Sequence, residues 1–171
     1  MSIIEEFPRW CNNHNFFLVH CQTEIDRKNF FLFLNEISDK IPNRIFPYKK
    51  DQNLNLSEFD YSYLKLLKLK NRILFIDYDS IIPPTPSGIT DSYTVNTILN
   101  CLVDTCRKNQ NLVFILTDTH KYGRISALSD VYIYIENGNI GVIKHRYEVQ
   151  IYKEESILHI IRNARLKTLL S

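Results

Sequence analysis

The sequence predicts an α/β fold: a sheet with a parallel core, flanked by helices and carrying one β-hairpin near residue 138. Three observations carry this expectation. "ILFI" (residues 73–76) and "LVFIL" (112–116) are unbroken apolar runs, the pattern of strands buried on both faces of a parallel sheet. Between them lies "DSYTVNTILNCLVDTCRKN", an amphipathic stretch long enough to cross back over the sheet. Asn137-Gly138 then separates two β-rich runs, the signal of a type I′ hairpin. A length of 171 residues suits a single domain able to bury a core.

The elements follow in order. "FFLVHC" (16–21) reads as a short buried strand. Residues 24–41 read as a helix with Ile25, Phe30, Phe33, Leu34 and Ile37 at helical spacing, closed by Pro42. Residues 1–50 are thus an N-terminal β-α segment without further assignment. Asp51 to Ser57 is polar and connects to a helix capped by Ser57, with Lys65, Lys68 and Lys70 near its end. "RILFID" is the clearest strand, and Pro83, Pro84 and Pro86 make the next stretch a loop. The following helix, capped by Asp91 or Ser92, turns Val95, Ile98, Leu99, Leu102 and Val103 inward. "NLVFILTDT" is a buried strand, "RISALS" a short helical turn, and "DVYIYIENGNIGVIKHR" the hairpin. Residues 154–170 form an amphipathic helix with Ile157, Ile160, Ile161 and Ala164 at i, i+3, i+4, i+7, so one face must be covered.

Composition narrows the function classes. A net charge of +2 gives no global reason to expect a nucleic-acid binder. Residues 72–143 carry 5 basic and 7 acidic side chains, residues 144–171 carry 6 and 3. The basic tail supplies candidate partner-binding residues: Lys144 and Arg146 at a strand end, and Arg162, Arg165 and Lys167 on the last helix. A phosphate backbone, as in a ribosome or other ribonucleoprotein, is the weaker partner on this ground. The four cysteines show no C-x-x-C and read as reduced buried thiols, and the N-terminus lacks a basic, apolar leader. No apolar run approaches the roughly 20 residues of a membrane span. A cytoplasmic protein is expected. The five histidines share no ligand spacing, and Tyr132 and Tyr134 on one strand face read as packing.

The chemical signal is Asp77-Tyr78-Asp79. Ligands of open α/β sheets bind beyond the carboxyl ends of the strands, where Asp77, Asp79 and Thr117 fall. Alternation along extended chain points residues 77 and 79 the same way. Such a pair can supply a nucleophile and a general acid/base to one phosphate.

"NRILFIDYDSIIPPTPSG", the helix "VNTILNCLVDTC", "NLVFILTDT" and "YIYIENGNI" together resemble the start of a trehalose-6-phosphate phosphatase domain of the haloacid dehalogenase-like superfamily, over roughly residues 54–146. The resemblance implies a Rossmann-like sheet. It implies that Asp77 is the nucleophile forming an aspartyl-phosphate, that Asp79 is the acid/base, and that Thr117 and Ser80 contact phosphate. Mg²⁺ would be held by Asp77 and Asp79 if the site is active, and no cofactor is expected otherwise.

The sequence departs from that family's pattern. Gly-Thr after the second aspartate is here Ser80-Ile81, and Gly-Arg after the second-motif hydroxyl is Asp118-Thr119. The later lysine and acidic metal motifs have no counterpart. Two like charges about 4 Å apart repel by roughly 4 kcal/mol at an effective dielectric near 20. A phosphate beside Asp77, Asp79 and Asp118 therefore needs a metal and a lysine without an obvious source, Lys121 and Lys144 being nearby in sequence. The expectation is a catalytically impaired domain acting as a binding or regulatory subunit, with a trehalose-synthesis complex as the partner the resemblance implies. The alternative is a small Mg²⁺-dependent phosphatase. A further alternative is a degenerate P-loop ATPase-like domain, which "ILFID" resembles as a Walker B strand and "ALSDVYIYIENGNI" resembles near a transporter ATPase's end. All four glycines (88, 123, 138, 141) follow the aspartates, so no Gly-rich phosphate loop can precede them.

Overall fold

The computed structural model describes residues 2–37, 40–41, 53–54, 70–78, 92–121 and 123–170. The expected helix after Ser57, the proline loop at 83–86, Asp79 and Ser80 lie outside them. The chain folds as an α/β, Rossmann-like domain. Its elements are α1 (Ile3–Asn13), β1 (Phe16–Cys21), α2 (Glu24–Ile37), β2 (Asn53–Leu54), β3 (Ile73–Asp77), α3 (Ser92–Lys108), β4 (Leu112–Thr117), α4 (Arg124–Leu128), β5 (Val131–Glu136), β6 (Asn139–His145), β7 (Glu155–Ser156) and α5 (Ile157–Leu170).

Among the described residues the strands form one sheet in the order β2-β3-β4-β1-β5-β6-β7. The first five are parallel, and β6 and β7 are added antiparallel. The expected parallel pairing of β3 with β4 holds, and Asp77 and Thr117 end their strands at the same, carboxyl edge. β1 belongs to the N-terminal segment left unassigned by the sequence, yet it lies between β4 and β5, in the middle of the sheet.

Alternation divides the core into two layers. Phe17, Val19, Phe75, Phe114, Leu116, Ile133 and Ile135 pack with α1, α2 and α5 on one face. Phe16, Leu18, Leu74, Ile76, Val113, Ile115 and Tyr132 pack with α3 and α4 on the other. Leu99, Leu102 and Val103 turn inward as expected, whereas Ile25 of α2 is exposed. It lies on the solvent face of the helix with Lys28 and Leu32, off the buried stripe of Asp26, Phe30, Phe33, Leu34 and Ile37. Helix α1 was not foreseen: Ile3, Phe7, Trp10 and Cys11 are buried on one face, and Phe7 packs edge-on to Phe33 and parallel to Phe114. The Glu155 carboxylate accepts from the Ile3 amide at 2.7 Å, satisfying one open donor of that helix end.

The hairpin turns at Asn137 and Gly138, both at positive φ, as a type I′ turn requires. Helix α5 buries Ile157, Ile160 and Ile161 against the α2 layer and leaves Arg162, Arg165 and Lys167 exposed, as its periodicity implies. Among the described residues no helix is long and apolar enough to cross a membrane.

Candidate functional site at the carboxyl edge of the sheet

Three strand ends build this edge. β3 delivers Asp77, β4 delivers Thr117, and β1 delivers His20 and the turn into α2. In register, Asp77 pairs with Leu116, and His20 with Thr117. The same alternation that layers the core decides where these side chains go. Asp77 continues the Phe75 side, toward α2; Thr117 and His20 continue the opposite side.

The β1–α2 turn, Gln22-Thr23, contains no glycine. The Thr23 amide donates to the Asp26 carboxylate and the Asp26 amide to the Thr23 hydroxyl, each at 3.2 Å, in the manner of a capping box. Asp26 is thereby buried and committed to the helix start. One residue on, Arg27 donates from Nη1 to Asp77 Oδ1 at 2.5 Å. The proposed nucleophile is therefore held by a guanidinium from the element that follows β1. Both side chains keep partial exposure, so the pair is screened and modest in strength.

On the other side, the Thr117 hydroxyl donates to the Thr119 carbonyl at 2.7 Å and is turned into its own loop. His20 is buried, its Nε2 lies 3.3 Å from the Asp118 carbonyl, and its Nδ1 has no hydrogen-bond partner among the described residues. Its ring stacks on His120 at 3.8 Å between centroids. Burial lowers the His20 pKa from its ordinary value, and the neighbouring His120 lowers it further. Lys121 places its ammonium 4.3 Å from the Tyr78 ring centroid, and its amide donates to the Tyr132 hydroxyl.

The edge thus gathers Asp77, Arg27, His20, His120, Thr117, Lys121 and Tyr78. Arg27, His20 and His120 were not singled out by sequence reasoning, because their roles come from β1 sitting beside β4. Lys144 and Arg146 do not belong to this site: His145 pairs with Val131, at the amino end of β5. Lys144 donates to the Ser126 carbonyl at 2.7 Å, and burial lowers its pKa. Among the described residues no three His, Cys, Asp or Glu side chains gather as metal ligands. Arg27 pairs with one carboxylate oxygen of Asp77, and Asp79, the other expected Mg²⁺ ligand, lies outside the described residues. No protein-family model and no curated protein matches the chain.

Proposed function

We propose that this chain is a catalytically silent α/β domain of the P-loop ATPase type that serves as a binding or regulatory subunit of a larger assembly. The observation that carries the reading is the Arg27–Asp77 pair. A P-loop enzyme needs a strand-loop-helix unit whose loop cradles phosphate and reaches, across a Mg²⁺ ion, toward a Walker B aspartate. Here β1-turn-α2 stands in that relation to Asp77 at the end of β3, but the turn has no glycine. A fixed cation of the chain itself stands at the carboxylate where such an enzyme holds its ion.

The resemblance to the trehalose-6-phosphate phosphatase domain extends over residues 54–146 and leaves β1 and α2 without a role. The P-loop reading gives both a place. A small phosphatase is the second reading, favoured by the partial exposure of Asp77 at a strand end. The silent reading predicts a partner protein: a multi-subunit ATPase in the P-loop lineage, or a trehalose-synthesis complex if the silent domain descends from the phosphatase.

The test is direct. Purified protein with Mg²⁺ is expected to hydrolyse neither ATP, trehalose-6-phosphate nor an aryl phosphate, with Asp77→Asn giving the same result. It is also expected to show no Mg²⁺-dependent retention of a fluorescent ATP analogue, and to copurify from native extract with a defined partner. ATP turnover or Mg²⁺-dependent ATP binding lost in Asp77→Asn would overturn the silent reading. Phosphomonoester turnover lost in that variant would establish the phosphatase.

A further inference from the structure

Between β6 and β7 the chain returns along the sheet edge as a strap, residues 147–154. Glu148 and Tyr152 face inward. The Tyr152 hydroxyl donates to Glu148 at 2.6 Å, Arg9 pairs with Glu148, and the Tyr152 ring meets Trp10 edge-on at 5.1 Å. The alternate residues face out. Val149 is 100% exposed and Ile151 94%, and Lys153 is exposed as well. Tyr147 lies in the turn before them, its hydroxyl donating to Asp130 and its ring stacked on His14. A cavity of about 330 Å³ separates the strap from residues 142–145 of β6. Among the described residues no hydrogen bond uses the main chain of Val149, Gln150 or Ile151. The strap is therefore an anchored edge with open backbone groups and two fully exposed aliphatic side chains, the arrangement that recruits another strand.

We infer that this strap pairs antiparallel with the same strap of a second copy of the chain, about a two-fold axis at Gln150. The occupant follows from the sequence of the strap, "RYEVQIYKE", which is complementary to its own reverse. With Gln150 opposite itself, Val149 falls beside Ile151 of the copy and Ile151 beside its Val149. In the same register Tyr147 falls opposite Lys153 and Arg146 opposite Glu154. The fold already engages Tyr147 with Asp130 and His14, and Glu154 with Tyr134 and Asn139, so the Val149–Ile151 pairs carry the contact. Each contact occurs twice, as an isologous interface demands. A shift of one residue would set the aliphatic positions beside polar ones and bring Glu148 opposite Ile151. This proposal is independent of the reading of the Asp77 edge.

A strap of this length covers less than the roughly 800 Å² per partner of a stable complex, so association is expected to be weak and to grow with concentration. Sedimentation velocity on the whole chain should show the average mass rising from monomer toward dimer as the concentration reaches about 300 µM, a range suited to interfaces below standard size. Val149→Asp with Ile151→Asp should abolish that rise while leaving the melting temperature unchanged, since both side chains are exposed. Residues directly opposite in an antiparallel pair have Cα atoms about 4.5–5.5 Å apart, within disulfide reach. Gln150→Cys should therefore oxidise to a covalent dimer several-fold faster than Lys108→Cys, an exposed control on α3. A chain that stays monomeric throughout overturns the inference, as does a dimer indifferent to the double substitution. Cross-linking at position 150 no faster than at the control overturns it too.

Discussion

His20 and His120 stack across the carboxyl edge with ring centroids 3.8 Å apart and planes inclined by 34°. One comes from the central strand, the other from the loop after β4. Burial disfavours a charged His20 ring, and the neighbouring His120 disfavours it further.

The consequence is a stability that falls in mild acid. Burial lowers the pKa of His20, His14 and His145 in the folded chain, with His120 adding to the effect on His20. The Asp118 carbonyl, Glu136 and Asp26 oppose it at His20 without reversing it. In the unfolded chain histidine titrates near pH 6.5, so below that pH the unfolded state binds more protons than the folded one. Stability is thus fully present above about pH 6.5 and is lost progressively as the pH falls below it. Thermal melts between pH 7.5 and 5 should show a falling Tm, with a shallower slope in His20→Asn. A flat profile would contradict this account.

Gly141 is required by an aromatic ring rather than by its backbone angles. A Cβ built there would lie 2.2 Å from the Tyr134 ring across the β5–β6 pair. Gly141→Ala should lower stability by about 1–3 kcal/mol, the usual cost of overpacking. Adding Tyr134→Ala should restore part of the loss. Denaturant titration of the single and double variants measures the coupling; additive losses would show that the ring is not the obstacle.

Helix α5 should behave as core in its first half only. Ile160 is buried, so Ile160→Ala should cost about 2–5 kcal/mol, seen as a fall in Tm of roughly 5 °C or more. Leu169 is 81% exposed, and Leu169→Ala should leave Tm nearly unchanged. Truncation after Glu155 should destabilise the chain at least as much as the Ile160 change. Equal effects at both positions would mean that the outer face is also covered.

The parallel pair β3 and β4, the crossover helix, the hairpin and the covered face of α5 were legible because each is written in local periodicity. Helix α1 carries the same signal in Ile3, Phe7, Trp10 and Cys11, but Pro8 and the asparagines that follow obscure it. What no local pattern could give is the position of β1. Nothing in "FFLVHC" says that its neighbours are β4 and β5. With β1 placed, Arg27 and His20 arrive at the edge, and half of the candidate site becomes visible. Ile25 illustrates the converse: apolar, but five residues from Phe30, it falls on the solvent face of α2 with Leu32.

The central place of β1 also governs how the chain reaches its fold. Phe16 finds its partner at Val113, and Phe17 at Val131. During synthesis the middle strand is made early, and both its edges wait for segments roughly a hundred residues behind. Loop closure over such distances is slow, and an apolar strand left open meanwhile is exposed to the wrong partners. In the nascent chain "FFLVHC" therefore stays without its sheet neighbours until β4 and β5 have emerged.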